Sequence, residues 1–176
     1  VKGGHYRQLK VQGPLGEEVS AEYLQLDKNT SVIEVASACG LALVNTGDRN
    51  PFKTNSFGVG QLMLDALDSG TSKMIIGLGG SATNDGGAGM LAALGARFYN
   101  DKAEQFIPTG GTLSQIDILD LSELDPRLTK CEIILACDVT APLCGKTGAS
   151  YVFALQKGAK PEELPILDQG LNHLSN

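Results

Sequence analysis

The run Gly77-Leu78-Gly79-Gly80-Ser81-Ala82-Thr83-Asn84-Asp85-Gly86-Gly87 constrains this chain more than any other segment. A short apolar stretch, Lys73 to Leu78, precedes it. An Ala- and Gly-rich stretch follows, up to about Arg97. The first reads as a strand of the kind buried in a parallel sheet. The second reads as a helix from about Gly86 to Arg97, lean enough to pack closely on that sheet. Strand, glycine loop and helix form one β–α unit of an α/β fold. Backbone amides in such a loop point outward, and the helix start adds roughly half a positive charge. A phosphate or carboxylate sits favourably there. The competing reading is that the glycines serve only tight helix–sheet packing.

The rest of the chain extends this frame. Residues 5–36 alternate and turn as an antiparallel meander, with turns at Gly13-Pro14-Leu15-Gly16 and Asp27-Lys28-Asn29-Thr30. Residues 37–53 read as loop and short helix. Thr54, Asn55 or Ser56 caps a helix whose apolar residues Phe57, Leu62, Met63, Ala66 and Leu67 keep a helical period. Asp65 and Asp68 face away from that stripe, and Gly70 stops it. Residues 100–130 read as irregular. Cys131 to Cys137 is a second buried strand ending at Asp138, with helices expected at 149–156 and 161–174. The fold class is α/β: an antiparallel β portion, then a doubly wound α/β portion from about residue 54 to 176. Such sheets bind ligands at the carboxyl ends of their strands.

Composition removes several function classes. A net charge of −6 argues against nucleic acid as a partner. No apolar run approaches 18 residues, so no membrane insertion is expected. With no Trp and 5% aromatics, stacking platforms are not expected. Cys39, Cys131, Cys137 and Cys144 form no Cys-x-x-Cys pair, and only His5 and His173 complement them. They read as reduced thiols of a cytoplasmic protein rather than a zinc site. The P-loop pattern fails because Thr140 stands five residues before Gly145-Lys146-Thr147. Gly-x-Ser-x-Gly fails at Thr83. Gly77 to Ala82 matches Gly-x-Gly-x-x-Ala, but no acidic residue ends a second strand about 20 residues later. A nicotinamide-dependent oxidoreductase therefore has only that partial match behind it.

The candidate site residues follow from placement. Gly79, Gly80, Ser81, Thr83 and Asn84 are the expected ligand-facing part of the loop. Asp85 either caps the following helix or, since a carboxylate repels phosphate, holds Mg²⁺ or accepts a hydroxyl proton. Asp138 ends a strand where acidic metal ligands are placed, or turns the chain. Glu34 lies inside Val-Ile-Glu-Val-Ala and, if buried, needs an ion pair or a substrate. Arg49 and Lys157 are solvated or bind phosphate, with Lys157 the better candidate.

Five segments then resemble the bacterial glycerate kinase family, type I. They are Gly13-Pro14-Leu15-Gly16; Val32-Ile33-Glu34 with Gly40-Leu41; Gly58-Val59-Gly60-Gln61-Leu62; Gly77 to Gly87 with Gly89-Met90; and Ala136-Cys137-Asp138-Val139 with Pro142-Leu143-Cys144-Gly145 and Gln156-Lys157-Gly158-Ala159. The resemblance covers essentially all of residues 1–176. It implies transfer of the γ-phosphoryl group of ATP, with Mg²⁺, to D-glycerate, in a cleft between two α/β domains. It also implies an incomplete architecture. Members are about twice as long and carry Asp-Ser-Phe-Lys-Gly and Ala-Asp-Gly-Gly-Glu-Gly segments that do not occur here. The chain is therefore expected to be a central part, inactive alone. A non-catalytic carboxylate- or phosphate-binding module is the alternative.

Overall fold

The computed structural model describes residues 3–176. The meander is present as β1 (His5–Gln12), β2 (Glu18–Gln25) and β3 (Thr30–Glu34). β1 and β2 pair antiparallel from His5↔Gln25 to Gln12↔Glu18, and β2 pairs antiparallel with β3 at Leu24↔Val32. β3 then pairs parallel with β4 (Lys73–Gly77), and β4 pairs parallel with β8 (Glu132–Ala136). The sheet order is β1-β2-β3-β4-β8. The antiparallel and α/β portions are therefore one sheet, joined through β3. Its register aligns Glu34, Gly77 and Ala136, so three parallel strands end at one level, followed by a short helix, the glycine loop and the segment that carries Asp138.

One face of this sheet carries the main core. Ala21, Tyr23, Ile33, Met74 and Ile76 point into it, against α1 (Val35–Cys39) and α2 (Phe57–Asp68). Leu62 and Met63 of α2 are fully buried there, each worth roughly 1.5–3 kcal/mol of transfer free energy. The α2 start differs from a single cap. Asn55 Oδ1 accepts from Phe57 N at 3.0 Å, while the Thr54 hydroxyl donates to Ala82 O at 2.9 Å. Asp65 does not simply face solvent. It accepts from Tyr23 Oη (2.7 Å) and Arg7 Nε (3.0 Å), tying α2 to β1 and β2. Burial is the main reason the Tyr23 phenol is pushed up to about 12.

Three expectations are corrected. The helix after the glycine loop, α3 (Ala88–Ala93), is half the expected length. Gly95, at φ +107 with its Cα face 2.1 Å from Glu123 O for any added Cβ, turns the chain out of it. Residues 100–130 are not wholly irregular: β5 (Arg97–Tyr99), β6 (Gln105–Phe106) and β7 (Ile118–Asp120) form a three-stranded sheet in the order β6-β5-β7. Its Phe98 packs with Leu113 and Leu171, the latter on α5 (Leu164–Leu174). These strands are too short for periodicity to separate them from turn. Finally, β8 is not buried. All five of its residues are exposed, with Leu135 at 58%, because it is an edge of the sheet in the described chain. The helix expected at 149–156 is α4 (Ala149–Phe153) followed by a 3-10 turn at Leu155–Lys157. Among the described residues, no helix is long and apolar enough to cross a membrane.

Candidate functional site

The glycine loop leaves β4 at the level where β3 and β8 also end. Its first half is fixed by a short bridge to the segment after α1: Leu41 N donates to Gly80 O (2.9 Å) and Ala82 N to Cys39 O (2.8 Å). That pairing uses the carbonyl of Gly80 but not the neighbouring amides. The N–H groups of Gly79 and Gly80 donate to no acceptor among the described residues. Gly79, Gly80 and Ser81 line an open cavity of about 220 Å³ together with Asp138, Gln156 and Lys157. Three of the five expected loop residues thus meet in one place with two of the four expected charged groups, Asp138 and Lys157 but not Asp85 or Glu34.

The second half of the loop faces inward. Thr83 and Asn84 are buried and do not line that cavity. Asn84 Nδ2 donates to Ser150 Oγ of α4 at 3.1 Å. Asp85 is 1% exposed. Its Oδ2 accepts from Ser56 N (2.8 Å), Ser56 Oγ (2.7 Å) and Gly89 N (3.1 Å), and its Oδ1 from Gly87 N (3.3 Å). The carboxylate therefore joins the starts of α2 and α3. Ser56 completes the joint by accepting from Met90 N at 2.9 Å. Gly89 is required by this packing, since an added Cβ would lie 2.8–2.9 Å from Ser56 N, Phe57 N and Asp85 Oδ2. A long-range partner such as Ser56, 29 residues from Asp85, leaves no local signal in the sequence.

Lys157 reaches the loop from the 3-10 turn after α4. Its Nζ donates to Ser81 Oγ (3.2 Å) and to Thr83 O. Burial lowers its pKa, and the charge of Asp85 partly offsets that. Beneath the loop, burial and then Asp85 push the Cys39 thiol up to about 12. Asp138 is exposed, two residues beyond β8. Glu34 is not the buried carboxylate that its apolar neighbours led one to expect. It is exposed at the end of β3 and lines a separate cavity with Tyr6 and Glu22. β3 has one open face there, and Glu34 lies on it.

The donor set bears on a metal in a simple way. No group of three His, Cys, Asp or Glu is arranged around a metal position among the described residues. Mg²⁺ needs only one or two carboxylates when phosphate oxygens and water complete its shell. Asp138 meets that requirement. Asp85, with both oxygens occupied by N–H and O–H donors, does not.

Fold and site together define a mixed α/β protein with an open cleft at the carboxyl ends of its parallel strands, floored by a glycine loop with free amides at Gly79 and Gly80. The chain belongs to the glycerate kinase family, whose sequence profile matches residues 1–176. It is 51% identical over 174 residues to a glycerate kinase of Bacillus cereus, covering 98% of this chain and 46% of that protein. It is 48% identical over 171 residues to the glycerate 2-kinase of Escherichia coli, covering 97% of this chain and 45% of that one. A crystal structure of a glycerate kinase 2 from Salmonella typhimurium LT2 superposes with a TM-score of 0.94 at 47% identity, over 97% of this chain and 47% of that chain. The chain thus spans about half the length of the relatives it matches.

Proposed function

We propose that the protein carrying this chain transfers the γ-phosphoryl group of ATP to a hydroxyl of D-glycerate. One observation supports this reading most: the unpaired amides of Gly79 and Gly80 and the Ser81 hydroxyl share a cavity with Asp138 and Lys157. Phosphoryl transfer asks for positioning and charge neutralisation rather than a covalent protein intermediate. The loop amides supply donors at fixed positions to phosphate oxygens, at no cost of reorganisation. Lys157 adds positive charge and fixes the Ser81 hydroxyl. Asp138 holds Mg²⁺, which when bound neutralises charge on the phosphates. In this reading Thr83, Asn84 and Asp85 act one layer back, holding the loop, and Glu34 plays no part in binding phosphate. The acceptor oxygen bonds to the γ-phosphorus and gives up its proton to solvent as the bond from the γ-phosphorus to the ADP oxygen breaks.

Isothermal calorimetry with ATP plus Mg²⁺, D-glycerate alone and NAD tests the reading. Binding of ATP that needs Mg²⁺ and weakens in Asp138→Asn is expected. Binding of D-glycerate with no response to ATP points to a non-catalytic module, and binding of NAD alone to a dinucleotide enzyme. Either result contradicts the proposal.

A further inference from the structure

Arg49 stands next to this loop with its charge unanswered. Its Nε is buried and has no hydrogen-bond partner among the described residues. Nη2 reaches Leu41 O only at 3.5 Å, the edge of hydrogen-bond range. Arg49 enters no ion pair among the described residues, in a chain where 20 acidic residues outnumber 14 basic ones. The nearest acidic neighbour in sequence, Asp48, accepts instead from Asn45 Nδ2 at 3.1 Å. A guanidinium stays protonated at any accessible pH and offers five donors. A buried donor left without an acceptor is rare enough in folded proteins to need a cause.

The position of Arg49 is fixed on two sides. Leu41, whose carbonyl faces Nη2, donates its own amide to Gly80 O at 2.9 Å. On the other side, the Arg49 carbonyl occupies the space next to Gly158, 2.1 Å from where a Cβ would stand. Gly158 directly follows Lys157. The segment after Arg49 is also held: Asn50 Oδ1 accepts from Phe52 N (2.9 Å), and Phe52 O accepts from Thr109 Oγ1 (2.8 Å). A backbone held by these contacts thus carries a second cation near the glycine loop, in no ion pair among the described residues. Arg49 touches Leu41, the residue bridged to Gly80, and packs on Gly158, the residue after Lys157.

We infer that Arg49 is an oxyanion contact of the glycine-loop site, donating to a phosphate or carboxylate oxygen of the ligand held at Gly79, Gly80 and Ser81. The identity of that ligand rests on the phosphoryl-transfer reading, which offers two sources: a nucleotide phosphate and the carboxylate of glycerate. Arg49→Gln and Arg49→Lys in the protein carrying this chain test the inference, with folding followed by far-UV circular dichroism. The probes are inorganic phosphate, Mg²⁺ with ATP, and D-glycerate, each titrated by calorimetry. Arg49→Gln is expected to weaken at least one probe by about tenfold or more, the scale of one hydrogen bond to a charged group. Arg49→Lys falls between, because it keeps the charge and loses the planar fork. Loss for phosphate and ATP assigns Arg49 to a phosphoryl oxygen, and loss for D-glycerate alone assigns it to the carboxylate. An Arg49→Gln protein that binds all three probes as the unaltered protein does overturns the inference. If the unaltered protein binds phosphate through Arg49 yet never releases ADP with D-glycerate, the inference stands and the kinase reading falls.

Discussion

Asp85 and Asp138 are both acids that follow a strand, yet their surroundings divide their work. Asp85 accepts from four donors at the starts of α2 and α3. Replacing it with Asn turns one acceptor into a donor facing other donors. Asp85→Asn is expected to destabilise the fold by about 3 kcal/mol, the scale of losing charge-assisted hydrogen bonds at a buried site, measured by urea unfolding. Unchanged stability would return Asp85 to the list of free carboxylates. The thiols divide in the same manner. Cys39 is buried, with a pKa pushed up to about 12 from an ordinary value near 9, while Cys137 is exposed. Native protein at pH 8 should therefore alkylate at Cys137 and not at Cys39, as read by mass spectrometry. The raised Cys39 value also sets a sign. Below pH 9 both folded and unfolded thiols are protonated and the contribution is fully present. Above pH 9 the unfolded thiol ionises first, so stability falls as pH rises toward 12. Cys39→Ala should flatten that part of the stability curve, and an unchanged slope would contradict the assignment.

At the level of elements, the strand–glycine–helix unit was legible because three cues agreed at one place: an apolar run, clustered glycines and a small-residue helix. The meander was legible from its turns. What was not legible depended on distant partners. The length of α3 is set by Gly95 meeting Glu123, 28 positions on in a segment that reads as loop. The inward turn of Thr83 and Asn84 is set by Lys157 and Ser150, more than 60 residues away. Glu34 looked buried because its sequence neighbours are apolar, but strand neighbours point to opposite faces, and its face is open. The tight joint between α2 and α3 yields its own prediction. Gly89→Ala places a methyl against Ser56 N, Phe57 N and the Asp85 carboxylate, and should cost about 1–3 kcal/mol by overpacking. Thermal unfolding indistinguishable from that of the unaltered protein would show that the joint can relax.

Across the whole molecule, the sheet ends on β8, whose apolar residues Ile133, Ile134 and Leu135 are exposed beside the cleft. Asp138 follows that strand, so the acidic wall of the proposed site stands on the least covered part of the fold. The relatives are about twice as long as this chain. For these reasons the 176-residue chain alone is expected to show no turnover of D-glycerate near the 1 s⁻¹ lower range of kinases. Phosphoryl transfer at the glycine-loop cleft has a direct readout. Coupled detection of ADP release from ATP and Mg²⁺, with and without D-glycerate, tests it directly when the protein carrying this chain and its Asp138→Asn variant are run side by side. The predicted result is D-glycerate-dependent release of roughly 1–100 s⁻¹, falling about 10²-fold in Asp138→Asn, as for loss of one charge-stabilising group, with unfolding unchanged. ADP release indifferent to D-glycerate, or equal turnover in the two proteins, would contradict phosphoryl transfer to D-glycerate at this cleft.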